Sequence, residues 1–231
     1  MKIISLSDLH GTLLPVVDYF EPCELILICG DISPLNIQAN DRKMKKWLEN
    51  DFKCWCESLP CNKVLFIAGN HDWICSRNVD FMYKTFPKDA KVTYLFHEGY
   101  IHTSLSGEEI HIFGTPYCTQ FGNWAFMEDD QRLTELFKKI DYNLDILITH
   151  DAPYGASDIL LQEDVPWYTG KHIGSKPLAE AILLKQPKYV FHGHLHSTSR
   201  IFEDLGPSKV INCSIKDEKY LPIYDPIITD I

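Results

Sequence analysis

Short apolar runs along this chain end abruptly in small clusters of polar residues. Residues 2–6 run into Ser7-Asp8-Leu9-His10, residues 25–29 into Gly30-Asp31, and residues 64–68 into Gly69-Asn70-His71-Asp72. Further along, residues 146–148 precede Thr149-His150-Asp151, and residues 189–191 lead into His192-Gly193-His194-Leu195-His196. Near-continuous apolar runs bounded by turn residues predict strands covered on both faces. Residues 110–113, before Gly114-Thr115-Pro116, and residues 210–213 predict two more.

Between the strands the pattern changes to a helical period. Met44, Trp47, Leu48, Phe52 and Trp55 form an apolar stripe behind Asn40-Asp41, a pair suited to capping. Over residues 128–140, Leu133, Leu136, Phe137 and Ile140 form a second stripe, with acids early and Lys138-Lys139 late, as the helix dipole favours. Over residues 175–186, Ser175 is the cap, Pro177 falls in the first turn and Pro187 is the stop. Strands alternating with helices predict an α/β fold, in which ligands gather beyond the carboxyl ends of the strands. Every polar cluster named above lies at such an end, so Asp8 and His196 are expected to meet at one rim.

Composition narrows the function. The 231 residues contain no Ser/Gly/Pro-rich linker, which predicts a single domain over residues 1–231. A hydrophobic content of 45% with 23% charged residues excludes intrinsic disorder. The net charge of −10, with no Lys/Arg-rich run, argues against stable nucleic-acid binding. A phosphate-bearing ligand would therefore need a local positive charge, and bound divalent cations are a natural source. The apolar start is too short for a signal-peptide core and no long apolar stretch follows, which predicts a cytoplasmic protein without a membrane span. Eight scattered cysteines with no CxxC pair read as reduced, structural thiols.

The polar clusters supply metal-ligand chemistry. Asp8 and His10 set a carboxylate and an imidazole two residues apart, Asp31 follows a wholly apolar strand, and Asn70 offers a neutral amide oxygen beside His71, a candidate proton donor. His150 stands alone at a strand end, whereas His194 and His196 form a spaced pair. Taken singly, each has an ordinary reading: a hydrogen-bonded turn for Gly30-Asp31 and Gly69-Asn70-His71-Asp72, a core histidine for His150, a surface pair for His194 and His196. Their joint occurrence on the same kind of edge points to one shared site. His192 is read as a residue that packs or hydrogen-bonds behind the ligands, with no ligand role, and His97, His102, His111 and His172 show no spacing pattern.

In this order the motifs resemble those of the calcineurin-like metallophosphoesterase superfamily. Nearly the whole chain is similar to its metallophosphoesterase-domain (MPPED-like) group. The likeness lies in Phe113-Gly114-Thr115-Pro116-Tyr117 with Asn123-Trp124-Ala125-Phe126, in Ile148-Thr149-His150 running into Pro153, in Ile211-Asn212-Cys213-Ser214, and in the tail from Tyr220-Leu221-Pro222 to Asp225-Pro226-Ile227. Departures are Asp151-Ala152, where a Gly-Pro type sequence is expected, and Gly11 after His10. The protein serine/threonine phosphatase branch is disfavoured, because Gly30-Asp31 lacks a nearby Asp-Arg-Gly and Asp72 stands in place of Glu.

The resemblance implies a four-layer αββα sandwich of two mixed β-sheets. It implies that Asp8, His10 and His196 hold one metal ion, that Asn70, His150 and His194 hold a second, and that Asp31 bridges them. His71 would be the catalytic histidine with Asp72 orienting its ring, and Asp151 would orient His150. Mixed nitrogen and oxygen donors suit two divalent ions of Mn²⁺, Fe or Zn²⁺ better than Ca²⁺. The implied activity is hydrolysis of small phosphodiesters such as cyclic nucleotides, by direct attack of a metal-bridging hydroxide. Two alternatives stay open: a phosphomonoesterase on a small metabolite or phosphoprotein, and a non-catalytic metal-binding scaffold. Tyr117, Phe121, Trp124 and Phe126 are read either as an aromatic wall for a nucleotide base or as core packing.

Overall fold

The apolar runs become the central strands of two sheets in the computed structural model, which describes residues 1–161 and 169–231. In chain order the strands are β1 (Lys2–Leu6), β2 (Cys23–Cys29), β3 (Cys61–Ile67), β4 (Val92–Tyr94), β5 (Glu98–Thr103), β6 (Glu109–Thr115), β7 (Cys118–Thr119), β8 (Met127–Glu128), β9 (Ile146–Thr149), β10 (Tyr189–His192), β11 (Phe202–Leu205), β12 (Ser208–Asn212) and β13 (Ile227–Asp230). The helices are α1 (Val16–Tyr19), α2 (Asp41–Trp47), α3 (Lys53–Ser58), α4 (Trp73–Arg77), α5 (Val79–Thr85), α6 (Asp130–Phe137) and α7 (Lys176–Lys185).

The first sheet runs β13-β1-β2-β3-β4 and the second β11-β12-β10-β9-β6-β5. Both are mixed. In the first, only β13 is antiparallel; in the second, the four inner strands are parallel and the edges β11 and β5 are antiparallel.

Alternation along β2 shows how the layers form. Leu25, Leu27 and Cys29 face the second sheet and pack with Ile112, Ile146, Ile148 and Phe191, whereas Ile26 and Ile28 face the helices. On that outer side Met44, Leu48, Phe52, Cys56, Ile74, Met82 and Phe86 close over the first sheet. Leu133, Phe137, Leu178 and Ile182 close over the outer face of the second. The result is the expected αββα sandwich of helices, sheet, sheet and helices.

The Asn40 cap is as expected, its side-chain oxygen accepting from the Lys43 N–H at 3.0 Å. The apolar stripe behind it is interrupted by a π-helical turn over Leu48–Phe52, which keeps Leu48, Phe52, Trp55 and Cys56 all on the buried side. The helix expected over residues 128–140 is shorter. Its cap is Asp129, and Met127–Glu128 instead pairs with Cys118–Thr119.

What places the site is the joining of the sheets at their carboxyl ends. The Ser7 N–H donates to the Cys213 carbonyl at 2.8 Å and the Ile215 N–H to the Ser7 carbonyl at 3.1 Å. The exits of β1, β2, β3, β9 and β10 thus face one rim. Among the described residues no helix is long and apolar enough to cross a membrane.

Candidate dinuclear metal centre

Tight backbone at the strand exits turns the candidate side chains toward one point. Asp8, His10, Asp31 and His194 all adopt left-handed backbone, with φ of 58°, 43°, 51° and 70°. Non-glycine residues take this conformation at a cost of order 1–3 kcal/mol each, and such residues concentrate at functional sites. Here bonds between neighbouring loops hold them. The Asp8 N–H donates to the Gly30 carbonyl at 3.1 Å, and the His10 N–H to the Asp31 carbonyl at 2.9 Å.

The seven expected ligands converge, with His71 beside them. The donor atoms of Asp8, His10 and His196 lie within 4.8 Å of one another, as do those of Asp8, Asp31 and His150. The two oxygens of Asp31 face different imidazoles: Oδ1 is 3.4 Å from Nε2 of His150, and Oδ2 is 3.6 Å from Nε2 of His10. Asn70 Oδ1 is 3.0 Å from Nε2 of His150, and the ring of His194 packs edge-on against that of His150 at 5.1 Å.

Backbone carbonyls fix the orientation of two of these rings. Nδ1 of His150 donates to the Cys29 carbonyl at 2.8 Å, and Nδ1 of His196 donates to the Asp217 carbonyl at 2.9 Å. In both, Nε2 is left to point into the site, the arrangement that pre-orients a metal-ligating histidine.

The electrostatics call for positive charge. Burial opposes ionisation of Asp31, yet His150, His10 and His71 hold its carboxyl well below the usual range. Burial likewise opposes ionisation of Asp8, and His196 and His150 again reverse it. Although burial disfavours a charged His150, Asp31 and Asp8 lift its imidazole to about 10. Burial, in contrast, lowers His10 to about 4 and His194 to about 3, which keeps both free of a proton and available as donors. Among the described residues, both ring nitrogens of His10 are buried without a hydrogen-bond partner. Two buried carboxylates, the unprotonated rings of His10 and His194, and the absence of any hydrogen bond to the buried nitrogens of His10 among the described residues fit a divalent-cation site.

Two glycines make room for this cluster. A Cβ at Gly69 would overlap Asp31 Oδ1 and lie 2.7 Å from His150 Cε1. At Gly193 it would overlap Ser7 Oγ and Asp8 Oδ2. The sequence marked these glycines as strand exits, but their closeness to the ligands comes from a neighbouring strand of the same sheet and from the opposite sheet, and is not encoded locally. Gly69→Ala should push Asp31 and His150 apart and weaken metal affinity roughly 10- to 100-fold, measured by titration with Mn²⁺.

Two expected orienting roles are corrected. Asp72 does not meet the His71 ring: its carboxylate accepts from the backbone N–H groups of Gly69 at 2.7 Å, Ser33 at 2.9 Å and Ile32 at 3.2 Å. It ties the β2 and β3 exits together, and burial, reinforced by nearby Asp31, raises its carboxyl to about 6. Asp151 accepts from the Thr119 N–H at 2.7 Å, while the Cys29 carbonyl orients His150. The His71 ring instead meets Gln38, whose Oε1 lies 2.8 Å from Nδ1.

The aromatic wall divides into the two readings. Phe121 and Trp124 line a cavity of about 770 Å³ over the centre. Tyr117 and Phe126 pack with Phe96 in the core. Trp124 lies against His71 with centroids 4.4 Å apart, and Phe121, 63% exposed, faces His194. Tyr220, which no metal-ligand pattern singles out, contacts the rings of His10 and His196 at 4.9 and 5.1 Å.

Comparison with known proteins agrees with this geometry. Residues 1–198 match the family model of the calcineurin-like phosphoesterases. The chain is 25% identical to human metallophosphoesterase domain-containing protein 1 over all of its own length and 71% of that protein. It is 27% identical to an uncharacterized protein of Methanocaldococcus jannaschii over 94% of this chain and 89% of that one. The crystal structure of TT1561 of Thermus thermophilus superposes with a TM-score of 0.59 at 16% identity, covering 91% of this chain and 88% of that chain, a likeness of fold. The αββα sandwich, the buried carboxylate and imidazole cluster at its rim and the match over residues 1–198 make this chain a member of the calcineurin-like phosphoesterase family, similar along its full length to the metallophosphoesterase-domain group.

Proposed function

We propose that this protein is a dinuclear metal-dependent phosphodiesterase acting on small phosphodiesters, cyclic nucleotides among them. Asp8, His10 and His196 would hold one divalent ion and Asn70, His150 and His194 the other, with Asp31 placed to serve both. Support for the sharing comes from the two Asp31 oxygens, which face His150 and His10 separately. Ions bound there would supply Lewis acidity for phosphoryl transfer to water.

The chain's own residues do the rest. His71 sits on the cavity side of Asp31, its Nε2 4.0 Å from Oδ2, where it can hand a proton to the departing alkoxide. Trp124 covers one face of that ring. Together Phe121 and Trp124 offer apolar faces to an organic substituent of the ester, in a cavity whose volume suits a nucleotide-sized ligand.

One observation favours a diester over a monoester. Among the described residues, no Lys or Arg lines the cavity, and residues 162–168 contain none. A monoester dianion carries a second charge that would need a cation beyond the metal ions, whereas a diester carries one charge and two organic arms. With Mn²⁺, bis(p-nitrophenyl) phosphate should be turned over at least about tenfold faster than p-nitrophenyl phosphate. Turnover of the monoester alone would overturn the diester assignment, and failure to bind any divalent ion would leave a scaffold role.

A further inference from the structure

Three imidazoles at this rim are held in the same way. In His150, His196 and His71, Nδ1 meets an oxygen while Nε2 points toward a buried carboxylate. For His150 and His196 that oxygen is a backbone carbonyl, contributed by Cys29 and Asp217, and no substitution at those positions removes it. For His71 it is a side chain. Gln38 Oε1 lies 2.8 Å from Nδ1, and among the described residues no other hydrogen bond reaches this ring.

We propose that Gln38 is the positioning residue of His71: its amide oxygen accepts the Nδ1–H, so that the proton given to the leaving oxygen is the one carried on Nε2, which faces the substrate. This inference rests on the reading of His71 as the proton-handling group. Because an amide oxygen only accepts, the bond has Gln38 as acceptor and the imidazole Nδ1–H as donor, as in the two carbonyl-held rings. Trp124 restrains the plane of the ring from one face, but stacking leaves rotation within that plane free. The bond to Gln38 removes that freedom.

The backbone that carries Gln38 is held in place. Gln38 lies between β2 and α2, with its own N–H bonded to the Pro34 carbonyl at 3.0 Å. Pro34 is wedged against Gly11, where a Cβ would come within 2.7 Å of the proline ring. The two residues before it, Ile32 and Ser33, donate their N–H groups to Asp72. Asp72 therefore acts on His71 only at a distance: it fixes the loop from which Gln38 reaches the ring. Gln38 is partly exposed and lies outside the metal cluster, so changing it is compatible with an intact fold.

Gln38→Leu fills a similar volume with a shorter, apolar side chain and removes the acceptor, whereas Gln38→Glu preserves the acceptor and cannot donate. With Mn²⁺ and a cyclic nucleotide, whose ribose oxygen needs a proton to leave, Gln38→Leu should lower kcat roughly 10- to 100-fold with little change in KM and unchanged metal content. Gln38→Glu should recover most of that loss. Independently of turnover, ¹⁵N NMR of the metal-free protein should show His71 carrying its proton on Nδ1 in the wild type and losing that fixed tautomer in Gln38→Leu. Wild-type kcat in Gln38→Leu, equal losses in both variants, or a wild-type His71 bare at Nδ1 would each overturn the proposal. A wild type inactive on diesters but active on p-nitrophenyl phosphate would refute the diester reading alone, and the same kcat series on an alkyl phosphate monoester, with the NMR signal, would still decide the role of Gln38.

Discussion

Asp31→Ala is expected to remove metal binding and turnover together. Of the seven proposed ligands it alone presents separate oxygens to imidazoles on both sides of the centre, Oδ1 to His150 and Oδ2 to His10. Oδ1 also accepts the His71 N–H at 2.8 Å, so the same carboxylate sets the backbone of the proton-handling residue. Loss of a group that only orients a metal ligand costs about 10- to 100-fold, and loss of a shared ligand should exceed about 100-fold. Asp31→Asn separates charge from shape: it keeps an oxygen for His71 and loses the charge, so the fold should survive while both metal ions are released. Elemental analysis gives the ion content directly. Thermal unfolding gives a second measure, because Mn²⁺ should raise the Tm of the wild type and leave both variants unchanged. Two retained equivalents of metal in Asp31→Ala would overturn the bridging assignment.

The site was legible in the sequence where side-chain type and strand position coincide. Asp8, Asp31, Asn70, His150 and His194 each follow a run apolar enough to be recognised as a buried strand, and parallel strands bring their ends to one rim. Orientation was not legible, because it depends on atoms from distant segments. Asp72 lies next to His71 in the chain, yet its carboxylate turns back to the Ile32 and Ser33 amides, while Gln38, thirty-three positions before His71, reaches the ring. Asp151 beside His150 is replaced in the same way by the Cys29 carbonyl from the other sheet. Proximity in sequence misleads wherever a strand exit turns sharply, and the left-handed backbone at Asp8, His10, Asp31 and His194 marks such turns.

The strands that escaped the hydrophobic pattern are mostly at edges. β5 alternates exposed and covered positions through Glu98, Tyr100 and His102, and β11 is exposed through Phe202, Glu203 and Asp204. Neither contributes a long apolar run, because only one face and one edge are covered. β13 pairs Lys2 with Asp230 and closes the first sheet with residues from the chain's end, a long-range pairing that no local period encodes. The inner strands, covered on both faces, are the ones the pattern found, and they carry the site. The strain stored at their exits, of order 1–3 kcal/mol per left-handed residue, is held against relaxation by the loop-to-loop bonds from Asp8 to Gly30 and from His10 to Asp31.

His71→Ala separates chemistry from metal binding. Its ring is not among the groups whose donors cluster around Asp8, and Nε2 stands 4.0 Å from Asp31 Oδ2, outside hydrogen-bond distance. The variant should therefore keep both ions while turnover falls about 10²- to 10⁴-fold, the range for removal of a general acid. The loss should depend on the leaving group. A p-nitrophenolate leaves readily without a proton, whereas an alkoxide such as the ribose oxygen of a cyclic nucleotide does not, so His71→Ala should impair a cyclic nucleotide more than bis(p-nitrophenyl) phosphate. Equal losses on both substrates would instead assign His71 to stabilising charge on the phosphoryl group, since that role precedes departure and is indifferent to the leaving oxygen. Full activity on both would remove His71 from the reaction, and with it the reason for a ring held by Gln38 on one edge and covered by Trp124 on one face.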